Sequence, residues 1–264
     1  VTLLAAAVAG RGLVDPNEPV FFADDEAVLR GAAAFETVRI RRYRPIFLHA
    51  HVDRLVGSSL SLRLPPPDGV EALAREAVTA AGCEQGVLRL FRTNRTLLAT
   101  VAELPAGLEE LRRRGIAMVT VRSHDAGLLT GVKATSYAPA LAALAEASRR
   151  AADDALYLGD GETVLEATMA NIWWRDGDTL STPSLLTGVL PGVTRAAVAR
   201  LAAEAGYRLR EGSFTLPTLL RADEVFTSSA VREIMPVVAI DGRELGRGEA
   251  AARLQALLEL LDDE

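Results

Sequence analysis

One side chain stands apart by its type. Lys133, in the run TGVKATSYAPAL (130–141), is the single lysine in 264 residues; every other member of the Lys+Arg total of 29 is an arginine. A GC-rich coding bias, in keeping with the many Ala, Gly, Arg and Leu residues, would deplete lysine and leave one survivor by chance. The chemical alternative is that arginine replaces lysine as a surface charge but cannot shed its proton to become an amine nucleophile. A lysine that must attack a carbonyl carbon and form an imine resists that drift. Composition alone leaves both readings open, and the surrounding residues must decide.

Other chemistry-bearing groups lie in both halves of the chain. Glu166, in VLEATMAN (164–171), has apolar neighbours on what reads as a buried strand, where a carboxylate needs a partner such as a nearby arginine. PGVTR (191–195) places a glycine, backbone N–H groups and a threonine hydroxyl at a helix start, which is either an ordinary N-cap or an anion site. FTSSAVRE (226–233) offers hydroxyls directly after a strand, a strand-end turn or a second anion site. Arg54, in HVDRL, shares the inner register of a helix with Leu55, which is unusual for a solvated residue. The lone Cys83 excludes an intramolecular disulfide, and His49, His51 and His124 lack HExxH spacing, so neither a disulfide scaffold nor a metal centre is expected.

These groups need elements to position them. At 49% hydrophobic and 24% charged, the chain can bury one large core or two of ordinary size. A net charge of −6 argues against a nucleic-acid or membrane surface as the main partner. The opening VTLLAAAVAG is short, lacks a basic flank and runs into a turn, so it reads as a strand and hairpin rather than a signal peptide, and a cytoplasmic protein is expected. AFETVRIRRYRPIFL (34–48) reads as a strand pair; a helix follows with Val52, Leu55 and Leu60 at near-helical spacing; GVEALAREAVTAAG is an amphipathic helix stopped by Gly82. GVLRLFRTN, LLATVAEL and GIAMVTVRS read as strands. After SHDAGLLTG, PALAALAEASRRAADD is a helix with a stripe of Leu141, Leu144 and Ala145. Strands around GDGE, a hairpin around RDGD, a helix from Gly192 to Gly206, the strand EVFTSS, a hairpin through Asp241 and Gly242, and a final helix complete the chain. The pattern is α+β in two lobes, 1–121 and 131–264, with a linker over 122–130.

Taken in order, FETVR, HVDRL, GVKATSY, VLEATMAN, TPSLLTGVLPGVTR and EVFTSSAVREIMPV resemble the class IV (fold type IV) pyridoxal-phosphate enzymes, from about residue 8 to about residue 245. That family includes D-amino-acid transaminases, branched-chain aminotransferases, R-selective amine transaminases and aminodeoxychorismate lyase. The resemblance implies a fold type IV architecture, with pyridoxal 5′-phosphate in the interdomain cleft, and a homodimer acting on small amino and keto acids. It implies that Lys133 is the Schiff-base lysine and that Glu166 bonds the pyridine nitrogen and keeps it protonated. Arg54, Val193 and Thr194, and the Ser229–Ala230 turn would hold the phosphate, while Tyr137 falls where some members place a tyrosine near the cofactor hydroxyl. Thr37, in FET, falls on the substrate side.

Three departures from the family pattern stand out. Ala32-Ala33-Ala34 replaces the usual Gly-Asp-Gly before FET. Ala230 stands where the transaminases often have threonine, so only its N–H can serve. The Arg-x-His carboxylate trap of typical D-amino-acid transaminases is missing from RTNRTLLATVAELP, and Thr100 lies there instead. Arg89, set by strand alternation opposite Leu88, Leu90 and Arg92, is the candidate to bind a substrate carboxylate in its place; a structural ion pair is its alternative. Within the family the resemblance favours a ping-pong transaminase using D-amino acids over aminodeoxychorismate lyase, and both over a non-catalytic cofactor-binding protein.

Overall fold

The computed structural model describes residues 2–123 and 129–261. Contacts gather them into two compact units: residues 2–106 with 132–137, and the described residues of 107–131 with 138–261. Each unit is built on its own sheet.

The first unit runs β1 (Leu3–Val8), β2 (Gly12–Val14), α1 (Glu26–Arg30), β3 (Ala34–Arg41), β4 (Arg44–Pro45), α2 (Leu48–Ser61), α3 (Val70–Ala81), β5 (Gln85–Arg92) and β6 (Leu97–Ala102). Its sheet, ordered β2-β1-β6-β5-β3-β4, is antiparallel throughout. Alternation sends Val38 and Ile40 of β3, Leu88 and Leu90 of β5 and Val101 of β6 into a core with Leu55 of α2 and Leu73 and Ala77 of α3. The β3–β4 turn is the expected one, closed by Arg42 and Tyr43 with φ of 49° and 64°, the left-handed pair that matches strand twist. Leu60 departs from expectation: it is 77% exposed, while Ser58 and Ser59 are buried. Five residues along a helix is about 140° from Leu55, whereas three or four returns to the same face.

The second unit runs α4 (Leu108–Arg114), β7 (Ile116–Arg122), α5 (Ala138–Arg149), β8 (Asp154–Leu158), β9 (Val164–Ala167), β10 (Asn171–Asp176), β11 (Thr179–Pro183), α6 (Val193–Leu201), β12 (Arg208–Gly212), α7 (Leu216–Leu219), β13 (Glu224–Ser229), β14 (Glu233–Ile240), β15 (Arg243–Glu244) and α8 (Ala250–Leu260). Its mixed sheet is ordered β12-β11-β10-β13-β14-β7-β8-β9, with β15 on β14. Trp174, Ile172, Phe214 and Met235 lie in its core. The stripe expected on α5 is corrected: Ala140, Ala143 and Ala147 are buried, and Leu141 is 60% exposed. Alanines let the helix approach Val119 and Ala155 of the sheet closely, and the bulkier Leu141 is left outside. α6 starts where expected but stops at Leu201, and Gly206 (φ 82°) closes a following turn.

Sequence reasoning passed over α1, α4, α7 and β12. The first three are too short to show a period, and β12 is a polar, exposed edge strand. Of the linker expected over 122–130, residues 124–128, including His124, lie outside the described residues; Arg122 ends β7, and Leu129 and Thr130 form a turn. No helix among the described residues is long and apolar enough to cross a membrane.

Candidate active site

Lys133 is carried by a short segment that runs along the start of β3. Phe35 N–H donates to the Lys133 carbonyl (3.1 Å), and Thr135 N–H to that of Ala33 (2.9 Å), while Ala34 and Ala134 form an antiparallel bridge. The Ser58 hydroxyl on α2 accepts the Lys133 N–H at 3.1 Å, and the Thr135 hydroxyl donates to the Gly31 carbonyl at 2.8 Å. Main-chain bonds thus fix the backbone at Lys133 without using its half-buried side chain. Its Nζ lies 4.5 Å from the Phe35 ring centroid, and the Tyr137 ring packs edge-on to Phe35 at 5.4 Å. Ala33 and Ala34, two of the three alanines that depart from the family pattern, are buried beneath this segment.

Beneath it, α2 and β3 bring together three titratable groups. Arg54 donates to Glu36 in two parallel bonds, Nε to Oε1 and Nη2 to Oε2, both 2.7 Å. His51 Nδ1 lies 2.7 Å from Glu36 Oε2. A carboxylate only accepts, so Nδ1 carries the imidazole proton. Glu36 is fully buried and the Arg54 side chain is 11% exposed. Burial alone would push the Glu36 carboxyl up; the hydrogen bonds from Arg54 and His51 outweigh it and hold the pKa at about 2. Burial also holds His51 below its ordinary value, against the pull of Glu36.

Both shifts have the same consequence for stability. Glu36 adds stability above its ordinary 4.5 that is lost as the pH falls toward about 2, a loss on the order of 3 kcal/mol. Below about pH 6.5 the unfolded chain protonates His51 while the fold resists, which again costs stability on acidification. The thermal unfolding midpoint is therefore expected to fall steadily from pH 6.5 to pH 3. Calorimetry of Glu36→Gln should show a lower midpoint at neutral pH and a shallower acid limb; an unchanged limb would mean that Glu36 does not set it.

The substrate-side candidates lie on the opposite face of the same sheet. Thr37 pairs with Arg89, and Arg89 with Thr100, across β3, β5 and β6. Phe35 and Phe91 stack on this face at 6.2 Å. Leu88 and Leu90 point the other way into the core, as alternation demands. Arg89 is half-buried and, among the described residues, its guanidinium forms no hydrogen bond or ion pair. The structural ion pair considered for it is absent there.

The second unit gathers the other candidates at one end of its sheet. Glu166 on β9 is half-buried; the Leu190 N–H donates to both its oxygens (3.1 and 3.2 Å), and Asn171 Nδ2 donates to Oε2 (3.1 Å) and to the Leu190 carbonyl (2.9 Å). Gly192, the N-cap of α6, passes so close that a Cβ there would lie 2.1 Å from Asn171 Oδ1. Among the described residues no side chain caps α6, so the N–H groups of Val193 and Thr194 lie at a positive helix end. Asn171 pairs in register with Ser228, and the next residue, Ser229, ends β13 at the turn that contains Ala230. Arg112 braces this turn through the Arg232 and Ile234 carbonyls (3.1 and 3.2 Å), and buried Asp154 pairs with Arg232 at 2.8 Å.

Glu36, which contacts the candidate Arg54, His51, which contacts Glu36, and Asn171, which contacts the candidate Glu166, were not among the residues expected. Each lies close to a named motif, as a carboxylate at an inward register of β3, a histidine three residues before Arg54 and an amide five residues after Glu166, but the sequence does not say which groups meet.

Known proteins resemble the chain over most of its length. The family model for amino-transferase class IV matches residues 33–240. A bifunctional aminodeoxychorismate lyase / D-amino acid transaminase from Mycobacterium tuberculosis is 28% identical over 278 residues, covering 95% of each chain. An aminodeoxychorismate lyase from Bacillus subtilis is 27% identical over 266 residues, covering 92% of this chain and 90% of its own. Among solved structures, the PLP-bound form of a hypothetical aminotransferase from Mycobacterium tuberculosis is similar with a TM-score of 0.87 at 27% identity, over 97% of both chains. The two-sheet α+β architecture is that of fold type IV, and the chain belongs to the class IV aminotransferases, a family of pyridoxal-phosphate-dependent enzymes.

Proposed function

We propose that the enzyme is a transaminase that moves the amino group of an amino acid, with D-amino acids as donors, to a keto acid such as 2-oxoglutarate or pyruvate in two half-reactions. The observation that carries this reading is Arg89: a half-buried cation with no carboxylate partner among the described residues, on the sheet face that also bears Phe35, over which Lys133 Nζ lies. A substrate α-carboxylate supplies the missing charge.

The residues fit pyridoxal phosphate. The bare start of α6, with room only for glycine at position 192, suits a phosphate, and the carboxylate of Glu166, held by amide groups, suits a protonated ring nitrogen. When bound, this cofactor supplies an aldehyde carbon for amines and a ring that takes up the electron pair left when a Cα–H bond breaks. In this reading Arg54, the N–H groups of Val193 and Thr194, Ser229 and the Ala230 N–H hold the phosphate. Glu166 keeps the ring nitrogen protonated, and Tyr137 orients the ring. Lys133 would supply the amine that holds the cofactor's aldehyde carbon and, once displaced by a substrate amine, the base that moves the Cα proton. Thr37 and Arg89 orient the substrate, and the enzyme works as a homodimer.

Arg89→Leu tests this reading. Losing one charge-assisted contact, worth roughly 1.5–3 kcal/mol, should lower kcat/KM for D-amino acids about ten- to a hundredfold. Primary amines without a carboxylate should be barely affected. An equal fall for both substrate classes would make Arg89 structural.

A second reading, aminodeoxychorismate lyase forming 4-aminobenzoate and pyruvate, is supported by the two relatives that carry that activity in their names. Presence of both Lys133 and Glu166 speaks against a non-catalytic binder. D-alanine with 2-oxoglutarate, assayed beside aminodeoxychorismate, separates the two. Turnover of the chorismate derivative with no D-amino-acid half-reaction would replace the transaminase with the lyase.

A further inference from the structure

A fully buried carboxylate in contact with both an arginine and a histidine is a poor device for stability alone, because apolar side chains of the same volume do as well without desolvating charges. Its geometry points elsewhere. Glu36 occupies Nε and Nη2 of Arg54 together, which fixes the plane of the guanidinium and not merely its location. His51 holds the same carboxylate by Oε2, so Glu36 cannot rotate away from the arginine. His51, Arg54 and Ser58 recur at i, i+3 and i+7 on one face of α2, and Ser58 accepts the Lys133 N–H. One helix face thus sets both the arginine and the backbone of the reactive lysine.

We infer that Glu36 and His51 are positioning residues for Arg54, and that their clamp makes the enzyme select phosphorylated pyridoxal over the unphosphorylated vitamer. This rests on the reading of Arg54 as a phosphate ligand. An unclamped arginine must be ordered each time an anion binds, and that cost falls on the phosphate contact only. The aldehyde and ring are common to pyridoxal and its phosphate, so the clamp does not act on them. In this proposal Glu36 and His51 act on the phosphate through Arg54, which both hold by way of the Glu36 carboxylate.

The test uses the full-length chain stripped of cofactor, with dissociation constants for pyridoxal phosphate and for pyridoxal measured by protein fluorescence and folding checked by thermal melts. In Glu36→Gln the preference for the phosphorylated form should fall about tenfold, with pyridoxal binding unchanged. His51→Leu, which keeps the Arg54–Glu36 pair but frees the carboxylate to turn, should show a smaller fall in the same direction and stands in if Glu36→Gln does not fold. His51→Asn, whose amide reaches the place of Nδ1, should restore the preference. Arg54→Gln sets the scale. If Arg54→Gln lowers the preference while folded Glu36 and His51 variants do not, the clamp is wrong and the role of Arg54 stands. If Arg54→Gln leaves the preference intact, the phosphate reading of Arg54 fails first. Equal weakening of both ligands in the Glu36 and His51 variants would mean a structural role and also overturns the inference.

Discussion

Lys133→Arg is expected to abolish both half-reactions and to remove the visible absorption band of the protein incubated with pyridoxal phosphate. The substitution keeps a positive charge and a long side chain, so it isolates the one property that arginine lacks, an amine that can lose its proton and bond a carbonyl carbon. The backbone should survive the change, because what anchors position 133 is main chain: the carbonyl accepts from Phe35 N–H and the N–H donates to Ser58 Oγ. Contact with the Phe35 ring also suits a guanidinium. The melting temperature should therefore stay near that of the wild type while turnover falls by roughly a thousandfold or more, the combined loss of nucleophile and proton carrier. Borohydride treatment followed by mass spectrometry should find the cofactor covalently attached to the 130–141 region in the wild type and nowhere in the variant. A wild type that stays colourless with the cofactor would remove Lys133 from the site.

How much of this was readable from the residues depended on whether a role is local. The bare start of α6 follows from PGVTR because a helix start is a property of a few adjacent residues, and β3, β5 and β6 follow from period-2 alternation, which also placed Arg89 opposite Leu88 and Leu90. The Glu36–His51–Arg54 cluster was not readable because it joins a strand to a helix, and nothing in FET alone says which helical side chain will cover an inward carboxylate. Asn171 escaped for the same reason: its amide matters because the chain returns at Leu190 and Gly192 to meet it. The α5 stripe failed differently. Alanines and leucines there have the same helical period, and the choice between faces is made by how closely the sheet lets the helix approach. The lysine count was the strongest single clue because it is a property of the whole composition.

Glu166→Gln is the second large effect, and it separates binding from chemistry. Glutamine has nearly the same shape and can still accept from the Leu190 N–H and Asn171 Nδ2, so the local structure should hold. What it lacks is the negative charge that, in the proposed reading, would keep a ring nitrogen protonated. In that reading Lys133 would remove the substrate Cα proton, and a bound pyridoxal ring would take up the electron pair readily only with its nitrogen protonated. Single-turnover rates of Cα–H removal, followed with Cα-deuterated D-alanine, should fall by roughly two to four orders of magnitude while cofactor affinity changes little. The deuterium effect should grow toward its full value as this step becomes rate-limiting. Asn171→Ala is the informative companion: it removes one donor to Glu166 and the contact beside Gly192 but leaves the carboxylate charged, so the rate should fall less than in Glu166→Gln. Unchanged single-turnover rates in Glu166→Gln would mean that the carboxylate serves only to tie β9 to the Leu190 loop.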